Sequence, residues 1–387
     1  LVLFRNGDGT LGCLTDLCPH RAARLSDEQV IDGRIECLYH GWQFAANGQC
    51  LHIPQLPKDT KIPTNACVQS YVVVEHQGIV WLWAGEGQAA DAKSIPSLPE
   101  LASPEFSIVN DFMTERNYDQ TYVIENLFDP AHVPSVHQNT DGKQQNPQPL
   151  EIELFKTSIE GIEGRYQDTN NPKATWINLD FLAPNTVIFR VCDSPKPGSR
   201  LIVVLYSIPL GKGRSPVLLR ICSNIPTWQA PRWFSHFYRS RVVEEDMPIA
   251  IGQQTQVERL GRSLKELYLP LKTSDLYAVE YRKWLDQFGS SLPFYQGYTS
   301  SKLTISPSEP AFKGRFYHHT RICSSCNRAY QNTILGKQIL VGTAIALAAL
   351  AIITVNSGIY PVFVAASLLA VALAFLVQKL KTKFELG

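Results

Sequence analysis

Cys18-Pro19-His20 and, sixteen residues further on, Cys37-Leu38-Tyr39-His40-Gly41-Trp42 decide how the first part of this chain folds. Each short arm offers one thiol and one imidazole. Two thiolates on one iron and two imidazoles on the other are the ligands of a [2Fe–2S] cluster that is easier to reduce than an all-cysteine one. Pro19 and Gly41-Trp42 suit tight turns that keep backbone close to the sulfurs. The rival is a mononuclear zinc site. Zinc sites, however, commonly pair cysteine with cysteine across about two to four residues and histidine with histidine across about three to five. Mixed Cys/His arms argue for the cluster, with Cys18, His20, Cys37 and His40 as ligands.

The chain has 387 residues, enough for two domains and an appendage. A net charge of +1 and the lack of a basic patch interleaved with aromatics give no case for a nucleic-acid partner. Nine cysteines are too few for a disulfide scaffold at this length and fit a reducing compartment such as cytosol or stroma. Cys13, Cys50, Cys67, Cys192 and Cys222 stand outside any motif and read as buried thiols. The chain opens at Leu1 inside a strand-like run, so the expectation is an incomplete N-terminus on which no targeting segment can be judged.

Residues 1–108 read as all-β. Leu1–Arg5 and Thr10–Leu14 flank an Asn6-Gly7-Asp8-Gly9 turn. Ile35–Cys37, Trp42–Phe44 and Cys50–Ile53 are short strands around an Asn47-Gly48 turn, and Tyr71–His76 pairs with Ile79–Ala84. A proline-rich connector, Ile95 to Pro104, marks the boundary. Residues 109–320 read as α+β: a helical stretch from about Tyr118 to His137, five strands between Leu150 and Asn224 with a turn at Gly211-Lys212-Gly213, then a long helix from about Ala230 to Arg259. Residues 321–387 differ. Ile339–Val355 and Ile359–Val377 carry no charge and are each near the length that spans a hydrocarbon core. Asn356-Ser357-Gly358 is too short a link for a domain, so the two runs form a membrane hairpin. Lys337, Lys379, Lys381 and Lys383 on its outer flanks put both flanks on the cytoplasmic or stromal side.

A second metal site lies in Asn117–His137. Two neutral histidines and a carboxylate leave open positions on a ferrous ion, the arrangement that activates dioxygen. His132 and His137 are five apart with Pro134 between them, and Asp129 stands three before the first. Five residues of an ideal helix do not align two side chains; Pro134 makes their convergence plausible by distortion. The third ligand comes from elsewhere. Asp246, in VVEEDMPIAIGQQ, is the best candidate, with Glu245 and Glu244 as competitors and a solvated helix face as the bland alternative.

The D-x-x-H-x(4)-H pattern after the cluster arms resembles the α subunits of Rieske non-haem iron oxygenases. That resemblance implies a Rieske [2Fe–2S] domain, a helix-grip (START-like) catalytic domain and a mononuclear Fe(II) held by His132, His137 and Asp246. It also implies that Asp129 bridges a cluster histidine, His20 or His40, to His132, across the subunit boundary of a homotrimer. Ala23 and Tyr39 occupy the places where respiratory and photosynthetic Rieske proteins carry a disulfide. Within the oxygenases, the phrases CPHRAARLS, LYHGWQF and CLHIPQ and the tail, Cys323-Ser324-Ser325-Cys326 followed by a hairpin, are similar to the pheophorbide a oxygenase and chloroplast translocon Rieske group.

That group implies reduced ferredoxin as electron donor, O2 as co-substrate and a chlorophyll-derived tetrapyrrole as substrate. It places the protein in a thylakoid, plastid-envelope or cyanobacterial membrane. Cys323 and Cys326 would be a redox dithiol answering to thioredoxin; their own chemistry equally suits inert thiols, or half a zinc site with His318 and His319 nearby. Two alternatives stand beside this reading: an oxygenase of another apolar ring compound, such as a sterol or aromatic ether, and a non-catalytic redox sensor of a membrane complex.

Overall fold

The computed structural model describes residues 1–27, 29–140, 147–169, 175–193, 197–210, 213–225, 230–291 and 314–386. They form two compact units, Leu1–Pro99 and Glu100–Gly387.

The first unit is all-β. β1 (Val2–Arg5) and β2 (Leu11–Leu14) form a hairpin; β3 (Gln29–Ile31), β4 (Arg34–Cys37), β5 (Trp42–Phe44) and β6 (Cys50–His52) form an antiparallel sheet in sequence order; β7 (Val73–His76) and β8 (Ile79–Leu82) form a second hairpin. Leu14, Leu25, Ile35, Phe44 and Val68 make one core, and Cys18 and Cys37 belong to it. The Asn47-Gly48 turn requires its glycine. Gly48 has φ +83°, and a Cβ there would sit 1.9 Å from the Val68 carbonyl oxygen that closes over the turn.

In the second unit β9 (Ser107–Arg116) leads into α1 (Gln120–Leu127), a 3-10 turn at Pro130–His132 and α2 (Val133–Val136). Then follow β10 (Leu150–Ser158), β11 (Gly161–Asp168), β12 (Ile177–Leu182), β13 (Thr186–Cys192), β14 (Arg200–Ser207) and β15 (Ser215–Ser223). The seven strands make one antiparallel sheet in the order β10-β11-β12-β13-β14-β15-β9, so the first strand in sequence closes onto the last. A cross-strand row of Ile162, Phe181, Val187, Leu205, Leu219 and Phe112 runs across the sheet. Alternation puts this row on one face, where the helices cover it.

Those helices are α1, α3 (Arg232–Leu260) and α5 (Leu276–Phe288), with the short α4 (Leu264–Leu267) between the last two. α5 presents Tyr277, Tyr281 and Trp284 at helical spacing, packed on Phe128 and Phe181. α3 presents Val243, Met247 and Ala250 to Phe112, Tyr122 and Leu205. This helix-on-sheet arrangement is the expected α+β helix-grip. The helical stretch expected over Tyr118–His137 is broken, because Asp129 caps a new turn at the Ala131 amide and Pro130 and Pro134 cannot continue the old one. β9, β11 and α5 lie outside the sequence expectation. The expected turn at Gly211-Lys212 falls outside the described residues.

A π-helical turn at Phe316–Thr320 precedes α6 (Ser324–Ile353) and α7 (Tyr360–Glu385), two helices long and apolar enough to cross a membrane. They pack antiparallel through small residues: Ala344, Ala351, Ala370 and Ala374 are buried, and the Ser367 hydroxyl donates to the Ala344 carbonyl at 2.9 Å. Small residues let two helix backbones approach where no water drives association. Both helices run past the uncharged stretches at their outer ends, α6 back to Ser324 and α7 on to Glu385. Of the cysteines read as buried, Cys13, Cys50 and Cys222 are, whereas Cys67 and Cys192 are exposed. Cys192 ends β13 and points away from the covered core, so the apolar-interior assignment fails there.

Candidate metal centres

The two cluster arms are tight turns at the ends of strands. Ala22 N–H donates to the Cys18 carbonyl at 2.9 Å, and Gly41 N–H donates to the Cys37 carbonyl at 2.7 Å. Ala22 and Gly41 both adopt positive φ, which reverses the chain within one turn. The result stacks His20 on Trp42, with ring centroids 4.7 Å apart, and brings His40 to 4.5 Å from His20. The Nδ1 atoms of His20 and His40 are buried and find no hydrogen-bond partner among the described residues. Cys18 and Cys37 are buried, and burial pushes the Cys18 thiol up to about 11. Orphaned buried nitrogens are costly, and a thiol this hard to ionise becomes a thiolate only on a metal. Two buried thiols and two buried imidazole nitrogens without partners fit a Rieske cluster.

The second site assembles His132, His137 and Asp246, whose ligand atoms lie within 4.8 Å of one another. His132 lies in the turn capped by Asp129, and His137 ends α2. Each ring is oriented by its Nδ1. His132 Nδ1 meets the Asp129 backbone carbonyl, and His137 Nδ1 meets Glu245 Oε2 at 3.0 Å. Both partners are acceptors, so each Nδ1 carries the proton and each Nε2 keeps its lone pair. Those Nε2 atoms face Asp246 Oδ1, at 3.6 Å from His132 and 3.2 Å from His137. Outer partners that fix the tautomer in this way are characteristic of metal-ligating histidine.

Electrostatics match. Burial acts to raise Asp246, but His137, when its ring is protonated on both nitrogens, and the nearby Arg116 guanidinium hold its carboxyl below the usual range. Burial acts to lower His137, yet Asp246 and Glu245 together raise it. Asp129 is raised, chiefly by burial, against the pull of His132. The donor set of two imidazoles and one carboxylate suits ferrous iron.

The acidic run Glu244-Glu245-Asp246 is not a solvated face. Consecutive helical residues point about 100° apart, and each of these three takes a different task. Asp246 turns inward to the histidines. Glu245 accepts from His137 and, at 2.6 Å, from the Thr140 hydroxyl. Glu244 forms a two-point pair with Arg315, 2.7 Å to each nitrogen. The roles of Glu245, Thr140 and Arg116 were absent from the sequence reading; nothing in the run itself marks which carboxylate faces which way.

Comparison with known proteins agrees with this chemistry. Residues 1–72 match the Rieske [2Fe–2S] domain, and residues 181–263 match the pheophorbide a oxygenase family. Protein TIC 55 of Arabidopsis thaliana is 36% identical over 92% of this chain and 72% of its own length. The chain belongs to the Rieske non-haem iron oxygenases. Within them it falls in the group of TIC 55 and pheophorbide a oxygenase. The Arabidopsis pheophorbide a oxygenase is 29% identical over 99% of this chain and 77% of its own length. Dicamba monooxygenase bound to dicamba shares the fold, with a TM-score of 0.60 at 20% identity over 75% of this chain and 89% of that one.

This oxygenase carries one more cluster of metal-competent groups. Cys323 caps α6 and Cys326 lies in its first turn. They meet His319 from the π turn and His236 from α3, and all four ligand atoms lie within 4.8 Å of one another. His319 stands four residues before Cys323 in the sequence. His318, named with it, is not in the set. His236, 83 residues before His319, was missed because only the fold brings α3 to this turn.

Proposed function

We propose that this oxygenase draws electrons from reduced ferredoxin and uses O2 to oxidise a chlorophyll-derived tetrapyrrole, by ring opening or oxidation of a substituent. The observation that carries the proposal is the His132–His137–Asp246 set, two of its three members buried, with both imidazoles fixed in the tautomer that leaves Nε2 free. When bound, the cluster stores one electron at a time and a ferrous ion at this set supplies the chemistry that activates dioxygen. Cys18, Cys37, His20 and His40 would hold the first, and His132, His137 and Asp246 the second.

The chain's own groups do the rest. Glu245 holds His137 in place and is itself held by Thr140. The Asp129 main chain orients His132, while its side chain, raised by burial, can keep or release a proton beside that ring. We propose that this carboxyl meets a cluster imidazole of a neighbouring copy in a homotrimer. The relatives are named as chloroplastic proteins, and α6 and α7 are long and apolar enough to span a bilayer. A plastid or cyanobacterial membrane, with the catalytic unit on its stromal or cytoplasmic side, would keep the enzyme beside a flat, apolar, membrane-partitioned substrate.

The test uses the full chain in detergent or nanodiscs. Pheophorbide a and chlorophyllide a are added anaerobically, followed by reduced ferredoxin and 18O2. The expected result is substrate-dependent oxygen uptake with 18O in the product. An iron-replete enzyme that leaves both tetrapyrroles untouched, yet turns over an aromatic ether or sterol, rejects the substrate assignment.

A further inference from the structure

We propose that His236, His319, Cys323 and Cys326 form a structural Zn2+ site that fastens the membrane hairpin to the helix carrying Asp246. Zinc–sulfur bonds of about 2.3 Å and zinc–nitrogen bonds of about 2.0–2.1 Å at tetrahedral angles place nitrogen about 3.3 Å from nitrogen and about 3.5 Å from sulfur. Here His236 Nδ1 is 3.1 Å from His319 Nε2 and 3.5 Å from each sulfur. His319 Nε2 is 3.2 Å from the Cys326 sulfur. Four of the six separations thus lie near the edges of a zinc tetrahedron, and all four atoms stand within 4.8 Å of one another.

Hydrogen bonding alone does not account for this convergence. His319 Nδ1 lies 2.6 Å from the Met113 carbonyl, an acceptor, so the proton sits there and Nε2 presents a lone pair. His236 Nδ1 touches three groups but carries at most one proton. Its Nε2 is buried without a partner among the described residues, so no bond on that side explains the ring's position. A shared cation satisfies all four groups at once. His236, His319 and Cys326 are buried to 3%, 1% and 1% exposure. A full set of four protein ligands marks a structural zinc site rather than a catalytic one, which keeps a position open.

The location states the purpose. His236 lies ten residues before Asp246 on α3, about 15 Å along the helix. His319 belongs to the π turn closed by Arg321 N–H on the Phe316 carbonyl at 3.0 Å. Cys323 and Cys326 begin α6. One ion would therefore tie three segments together beside the Arg315–Glu244 pair and the Thr320 hydroxyl that donates to the Phe384 carbonyl of α7. While zinc is bound, the two thiolates are not an exchangeable dithiol.

Metal analysis of the full chain, purified in detergent with its cluster, tests this independently of any substrate. The expected content is about one zinc to about three irons per chain, with zinc-edge X-ray absorption showing two sulfur and two nitrogen neighbours. His236→Asn and Cys326→Ser should each lose the zinc and keep all the iron. Alkylation should label exposed Cys67 and Cys192 in the native protein, and Cys323 and Cys326 only after zinc is chelated. Iron-replete protein free of zinc after zinc-supplemented expression overturns the proposal. So does a Cys323–Cys326 disulfide in the native protein, or zinc retained in full by both variants. Where a variant fails to fold, the wild-type zinc content and its sulfur–nitrogen shell decide.

Discussion

Replacing Glu245 by alanine separates a carboxylate that orients a ligand from one that is a ligand. Its Oε2 accepts from His137 Nδ1 at 3.0 Å and from the Thr140 hydroxyl at 2.6 Å. His137 and Thr140 are each 4% exposed, so water cannot take the carboxylate's place without rearrangement. Losing an outer partner of a metal-bound histidine typically weakens metal binding by about 10–100-fold, about 1.4–2.7 kcal/mol. A stranded buried donor costs about 1–3 kcal/mol on its own scale, which agrees. Glu245→Ala should therefore weaken Fe(II) binding by about 10–100-fold in chelator competition, with the cluster's absorption and EPR spectra unchanged. Asp246→Ala, run beside it, should abolish mononuclear iron. Wild-type affinity in Glu245→Ala would refute the orienting role, and a loss as complete as that of Asp246→Ala would make Glu245 the ligand.

Asp129→Asn should leave cluster and mononuclear iron in place yet stop turnover, since the amide keeps the cap on Ala131 but cannot carry a proton; retained turnover would remove Asp129 from the electron path. Trp284→Ala should lower stability by about 3–5 kcal/mol, because Trp284 is 1% exposed, packs edge-on to Phe181 at 5.0 Å and donates to the Ser158 carbonyl; a thermal midpoint within a degree of wild type contradicts that packing. In the metal-free protein His137 is raised above its ordinary 6.5, so its stabilising charge is fully present below that value and is lost as pH rises through the raised one. Iron needs the neutral ring, so Fe(II) affinity should climb, with release of a proton, as pH rises above the ordinary 6.5, and a profile that stays flat there would exclude His137 as a ligand.

Local chemistry was legible in the sequence. The candidate cluster arms each span a few residues, and the tight turns that bring their imidazoles together are encoded by Pro19, Gly41 and their neighbours. The same holds for Asp129, His132 and His137, where prolines at 130 and 134 break the helix that would have separated the two imidazoles. The hairpin followed from two uncharged runs. Strands β9 and β11 and helix α5 escaped because charged or glycine positions interrupt their patterns; β11 carries Gly161 and Gly164 among Glu163, Arg165 and Asp168. Their identity comes from cross-strand partners.

What tertiary structure alone decided is which distant group completes each centre. Asp246, Glu245 and Glu244 are chemically alike and adjacent, and the packing of Val243, Met247 and Ala250 against the sheet sets the rotation of α3 that turns one toward His137 and another toward Arg315. The same rotation carries His236 to Cys323 and Cys326, a meeting no spacing rule along the chain could foresee. Spacing constrains side chains only within a few residues. Beyond that, the burial of an apolar helix face chooses among equivalent polar ones.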